Sequence, residues 1–340
     1  MRLFPTLSQN LVLGELVLGA LALSLAMASG EKTALMNHDF PDPSLMQDSD
    51  GTWYSFATTS GGKNIQAARA DAPGGPWTYV DQEMLPDTGA WTTGRNSWAP
   101  DVSMVATGLY VMYYSGELGN NSALHCVGTA TSSAPLGPYT AAPTPLACPV
   151  SQGGAIDPAG FVDAATGRRY VVYKVDGNAL GHGGSCNNGV EPYVATPIML
   201  QEVSADDGVT AAGDPVRILD RSTAEDGPLV EAPNLARSSD GTYVLFYSNH
   251  CWDTPGYSIN YATASAVAGP YTKSGTPLVA TGDYNLTAPG GATCTIGDTA
   301  GSLVFHANCP QGRCLFGAPF SVSGSTVRVS SRTLVSRDYL

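Results

Sequence analysis

The chain has 340 residues, with 29 acidic against 16 basic side chains and a net charge of −13 at neutral pH. That balance leaves no basic patch to neutralise phosphates, which weighs against a nucleic-acid partner or an anionic membrane surface. A neutral ligand such as a sugar suits it without being demanded by it, since acidity by itself serves solubility.

The first residues read as a secretory leader. Arg2 supplies the positive start, Leu16 to Ala26 the apolar run, and Ala26-Met27-Ala28 a small-x-small cleavage site. Glu15 sits at the edge of the run, and the run is shorter than the roughly 20 apolar residues a membrane span needs. Residues 1–28 are therefore expected to be a signal peptide, and residues 29–340 a secreted, extracellular protein not anchored in a membrane.

After residue 30 helical periodicity is hard to find. Glycine (39) and proline (24) are plentiful, charged residues make up 13%, and tyrosine outnumbers phenylalanine 16 to 8. Such a chain suits an all-β protein with many turns. Taken in order, it repeats itself. A carboxylate or small residue beside proline opens each round: Phe40-Pro41-Asp42-Pro43-Ser44, Trp98-Ala99-Pro100-Asp101, Ile156-Asp157-Pro158, Val230-Glu231-Ala232-Pro233 and Thr287-Ala288-Pro289-Gly290. A glycine turn follows, at 49–51, 106–108, 165–167, 239–241 and 299–301. Then comes a β-branched and aromatic run, at 53–58, 109–115, 169–174, 242–248 and 302–307, the composition of a buried strand. Third segments at 65–69, 127–131 and 260–264 lead into Gly-Pro-aromatic triplets, residues 198–203 replace them in the third round, and the fifth round is the most worn. The period of roughly 55 to 75 residues and the fixed order of segment types predict a five-bladed β-propeller over a β-sandwich, which also uses short strands and glycine turns.

In a propeller the first strand of each blade lines the axis, so the proline-flanked motifs are expected on one face. The loops after the second strands, at 58–64, 115–121, 176–193, 249–257 and 307–313, are expected to form the rim. That face then gathers Asp42, Asp101, Asp157 and Glu231, with Asp39 nearby. Carboxylates crowded around a channel cannot all ionise freely. One ionised and one protonated carboxyl, separated by about 6.5–9.5 Å, is the requirement of inverting glycoside hydrolysis.

The four acid-bearing motifs resemble, in order and spacing, those of glycoside hydrolase family 43, and the likeness covers nearly all of the mature chain. The resemblance implies cleavage of α-L-arabinofuranosyl or β-D-xylosyl bonds in plant cell-wall oligo- or polysaccharides, with inversion. It implies Asp42 as general base, Glu231 as general acid and Asp157 as the carboxylate that raises the pKa of the acid and orients it. Family members often carry Pro-Gly-His in the fifth blade, a histidine linked to a metal or water site in the channel. Here the residues are Pro289-Gly290-Gly291, so no metal and no other cofactor is expected.

Each of these residues has a plainer reading. An aspartate before proline is common in turns, and only the three acids together, in the family's order, outweigh it. Asp101 is expected to brace its blade with Trp98 more than to touch substrate, and Asp39 to be a loop residue. Phe40, Trp98 and Trp252 are candidate sugar platforms that could equally be core, and Trp91 stands evenly between the two. His182 and His250 fall in predicted rim loops, His306 in a strand as a satisfied channel or core residue, and Lys174 and Arg313 are candidates by position. A carbohydrate-binding propeller without catalysis and a protein-binding adaptor are the rival readings, the latter requiring an apolar rim patch. A monomer is expected. The seven cysteines leave at least one thiol unpaired, Cys126/Cys148 and Cys309/Cys314 are the nearest in sequence to pair, and Asn120 and Asn285 head glycosylation sequons.

Overall fold

The computed structural model describes Met1 and residues 32–330; apart from Met1, the expected leader lies outside the described residues. Five four-stranded antiparallel sheets follow one another along the chain, each with its strands in sequence order. Blade 1 is Met46–Gln47, Trp53–Ala57, Gln66–Ala70 and Thr78–Val80; blade 2 is Trp98–Ala106, Leu109–Glu117, His125–Ser132 and Thr140–Ala141. Blade 3 is Ala155–Val162, Arg169–Val175, Ile198–Val203 and Val216–Leu219; blade 4 is Val230–Arg237, Tyr243–Asn249, Ser258–Ala264 and Thr272–Lys273. Blade 5 is Gly290–Ile296, Ala300–Cys309, Gly312–Ser323 and Thr326–Val329. The five blades form a β-propeller.

The second strands hold the blades together. Their β-branched and aromatic residues are buried on both faces, because each sheet packs between two others: Val244 and Phe246 against Leu303, Phe305 and Phe320 of blade 5, Tyr170 and Val172 against Leu245, Phe56 against Met112 and Tyr114. The Phe246 and Phe320 rings meet edge to face at 5.3 Å. Side chains of this size contribute roughly 1.5–3 kcal/mol each when fully buried.

The ring is closed by residues ahead of blade 1. The amides of Leu35 and Phe40 donate to the carbonyls of Leu315 and Arg313 in blade 5. Phe40 fills the seam between the last and first blades beside Ala57, Ala68, Val304 and Leu315. Fully buried there, it is a closing core residue and no sugar platform. The fifth blade also departs from the expected loop at 307–313. Its second strand runs on to Cys309 and the next begins at Gly312, a tight hairpin clipped by the Cys309–Cys314 disulfide. Cys126–Cys148 pairs as its spacing suggests, Cys186–Cys251 joins two rim loops, and Cys294 is free.

Candidate active site

Proline has no N–H to give to a sheet ladder, and the inner strands respond alike at their proline motifs. The pairing with the second strand slips at Trp98/Asp101, at the stretch facing Val172/Lys174, at Glu231/Asn234 and at Gly290/Thr293. At three of these slips the residue before the proline takes a left-handed conformation, Ala99 (φ 43°), Asp157 (55°) and Ala232 (50°), as do Gly291 (60°) in the fifth blade and Asp42 (54°) before Pro43, ahead of the first strand of blade 1. These five residues surround a narrow axial channel of about 30 Å³. A left-handed non-glycine residue costs roughly 1–2 kcal/mol, so the conformation must be held from outside.

Above the channel lies a cavity of about 640 Å³ lined by Asp42, Asp157 and Glu231 together with Thr58, Trp98, Lys174, Asp176, Trp252, Tyr257 and Arg313. Asp42 and Asp157 are themselves left-handed residues and Glu231 immediately precedes one, which is why three blades deliver carboxyls to one space.

The three acids have different surroundings. Burial works against ionisation of Asp42, but Arg313, then His306 and the Thr58 hydroxyl, hold its pKa below the ordinary carboxylate value. Arg313 Nη1 lies 3.3 Å from Oδ1, and Thr58 Oγ1 donates to Oδ2 at 2.6 Å. Asp157 goes the other way: burial, then the charge of Glu231, push its pKa well up against the pull of Lys174. Its Oδ2 accepts the Ala232 amide at 2.9 Å. Glu231 Oε2 accepts from the fully buried Lys174 ammonium at 3.1 Å, and the same ammonium meets Asp176 at 2.9 Å. The Tyr257 hydroxyl feels all three acids, and burial followed by their charges raises its pKa well above normal.

The model of Glycosyl hydrolases family 43 matches residues 32–323. The chain belongs to this family. It is therefore a glycoside hydrolase. Among similar proteins is a probable arabinan endo-1,5-alpha-L-arabinosidase A of Aspergillus flavus, 28% identical over 286 residues, covering 82% of this chain and 78% of that protein. The arabinan endo-1,5-alpha-L-arabinosidase A of Aspergillus niger is 35% identical over 124 residues, 32% of this chain and 36% of that one. The fold matches a thermostable family-43 glycoside hydrolase with a TM-score of 0.73 at 23% identity, covering 90% of this chain and 98% of the other. It also matches the endo-arabinase of Bacteroides thetaiotaomicron with a TM-score of 0.66 at 17% identity, covering 87% and 99%.

Within this family-43 scaffold, Asp42, Asp157, Glu231, Trp98 and Trp252 come together as expected, and Lys174 and Arg313 join them. Trp98 stacks on His125 with centroids 3.5 Å apart. Trp252 is 48% exposed at the mouth and carries Arg313 over its ring at 4.7 Å. Asp101 braces rather than binds: it lines the axial channel, outside the cavity, and accepts the Gly160 amide at 2.8 Å, tying blade 2 to blade 3. Burial pushes its pKa up to about 7. His182 is exposed on its loop and does not line the cavity. Trp91 packs on Tyr114 as core. His250 packs under Gly227 and Gly256, away from the cavity. Asp39 ties the seam, accepting from the Arg313 amide and from Ser60 Oγ. Burial and neighbouring charge push Asp157 up, and the ion-pair partner of Glu231 is Lys174.

The sequence reading missed Tyr257 and Thr58. Each stands at an end of a predicted rim loop, and that position was their one signal. The family's axial histidine is Gly291 here, and a Cβ at Gly291 would come within 2.8 Å of the His306 ring. His306 Nδ1 accepts the Asp42 amide, so its proton is on Nε2, which has no lone pair for a cation. Among the described residues, the three-donor cluster suited to a metal is Cys186, Cys251 and Asp253, two of them disulfide-bonded, and it lies away from the axis. This donor set does not fit a histidine-held ion in the channel.

Proposed function

We propose that this enzyme hydrolyses α-L-arabinofuranosyl bonds of plant arabinan or arabinoxylan with inversion of configuration, and that it works outside the cell. The observation that carries the reading is one cavity lined by three carboxyls from three blades, each in a different electrostatic setting. Asp42, held ionised by Arg313 and Thr58, takes a proton from the attacking water. Glu231, on the strand two blades away, gives a proton to the leaving oxygen. Asp157 is fixed by the Ala232 amide and lies close enough to Glu231 that burial and then the Glu231 charge push its own pKa well up. Lys174 orients Glu231 and balances its charge between turnovers. Trp98 and Trp252 present flat apolar faces to the C–H side of sugar rings.

The arabinan-cleaving relatives support arabinose over xylose. The apolar run at 16–26 and three disulfides among the described residues support secretion.

The test is a set of aryl α-L-arabinofuranosides with good and poor leaving groups, beside linear arabinan and xylan. Asp42→Ala should lose roughly 10²–10⁴-fold in kcat on every substrate. Glu231→Gln should lose most on poor leaving groups and little on dinitrophenyl glycosides. NMR of early product should show the inverted anomer. Equal losses by Glu231→Gln on all leaving groups, or a larger leaving-group dependence for Asp157→Asn, would move the acid assignment to Asp157. Sugar binding unaccompanied by turnover in the unaltered protein would leave a binding propeller instead.

A further inference from the structure

Each left-handed residue of the axial ring gives its amide to a side chain of the preceding blade. Ala99 N donates to Thr58 Oγ1 at 2.8 Å, Asp157 N to Ser115 Oγ at 2.9 Å, and Gly291 N to Ser248 Oγ at 2.9 Å. The acceptors stand at equivalent positions, since Ser115, Lys174, Ser248 and His306 face Trp98, Ile156, Glu231 and Gly290 across their sheets. In blade 3 that position is Lys174, which has no acceptor, and the Ala232 amide turns to Asp157 Oδ2 instead. In blade 5 it is His306, and its Nδ1 accepts the Asp42 amide at 3.0 Å across the seam that closes the ring.

From this ring we infer that His306 is a positioning residue for Asp42, holding the base in its left-handed conformation and so aiming its carboxylate at the attacking water. A serine serves between blades 2 and 3 and between blades 4 and 5; the seam between blades 5 and 1 is spanned by an imidazole. Gly291 is the complementary half of the device. A side chain there would meet the His306 Cε1 and Nδ1 atoms at 2.8 Å and Asp42 Oδ1 at 3.3 Å, so its absence leaves room for the ring. The ring is fully buried, Tyr257 lies parallel to it at 5.8 Å, and its orientation is thereby fixed. His306 meets Asp42 at its amide and, at 3.4 Å, at its Oδ1, is fully buried and does not line the cavity, so its effect passes through Asp42.

The inference rests on Asp42 being the base, and the test separates the two. His306→Leu removes the acceptor, His306→Asn keeps an oxygen at the place of Nδ1, and His306→Gln moves it to the place of Nε2. Misplacement of a reacting group by about 1 Å costs on the order of 10²-fold. His306→Leu should therefore lose roughly 10- to 100-fold in kcat, with KM little changed and the loss equal on good and poor leaving groups. His306→Asn should recover most of the rate and His306→Gln should not. Should His306→Leu fail to fold, the Asn-over-Gln order and a matching kcat loss in Gly291→Ala carry the test. Full kcat in His306→Leu, or equal rates for folded Asn and Gln variants, would overturn the inference while an inactive Asp42→Ala left the base assignment standing. Turnover by Asp42→Ala would remove both.

Discussion

The floor and the mouth of the cavity are built on different terms. At the floor, five blades repeat one left-handed residue and one inter-blade hydrogen bond, and the side chains that vary there (Thr58, Ser115, Lys174, Ser248, His306) are all buried. At the mouth, the loops at 176–197 and 249–257 share no pattern, are joined by Cys186–Cys251, and leave Trp252 about half exposed. In the proposed function the repeated frame carries the chemistry and the irregular loops the grip on the sugar chain.

The largest way to break this contrast is at Lys174. It is fully buried, and its pKa is raised although burial alone would lower it, because Asp176, Glu231 and Asp157 surround it. Lys174→Met leaves those carboxylates without a counter-ion, and removing one partner of a buried pair costs about 3–5 kcal/mol. Denaturant unfolding should register that loss, together with a collapse of kcat.

An intermediate effect concerns pH. His306 is held neutral, its pKa lowered to about 3 by burial and then by Arg313, with Asp42 and Asp39 pulling the other way and Tyr257 stacked on its face. The unfolded chain binds that proton near pH 6.5, so between pH 6.5 and 3 the unfolded state carries more protons and stability falls as pH falls. Asp42, depressed in the folded state, loses its own contribution in the acid range and steepens the fall. Asp157, raised, has the opposite sign and favours the fold as the solution is acidified. Melting temperatures of His306→Asn should decline less steeply than those of the unaltered protein across this window. An identical slope would show that the ring does not stay neutral.

The smallest effect belongs to the mouth. Trp252→Ala should raise KM on arabinan several-fold, on the order of 1 kcal/mol for one lost aromatic contact, with kcat on aryl glycosides nearly unchanged. An equal loss in kcat would mean that Trp252 acts through Arg313 on Asp42.

The same division governed what could be read from the sequence. The repeat of proline motif, glycine turn and aromatic strand announces the blades because burial on both sheet faces leaves a dense apolar pattern. Asp42, Asp157 and Glu231 were legible for a related reason, since a proline without an N–H marks the bulge that aims them inward. Phe40 misled because an aromatic beside a catalytic motif fits a seam as well as a sugar. Asp101 was legible as a brace, but its partner, the Gly160 amide of the next blade, was not. His182 misled because loop membership says nothing of direction. The second-strand positions of Thr58 and His306 were hidden, since their role depends on pairing between blades far apart in sequence.

One consequence follows from the seam. The amide of Asp42 is held by His306, one carboxylate oxygen by Arg313, and the other by Thr58, so two of its three supports come from the opposite end of the chain. Until the last blade docks on the first, the proposed base has neither its orientation nor its counter-charge. With Asp42 as the base, hydrolysis is expected to report on completed assembly: a molecule still maturing, or nicked so that the fifth blade swings free, should stay silent toward polysaccharide even with every carboxyl intact.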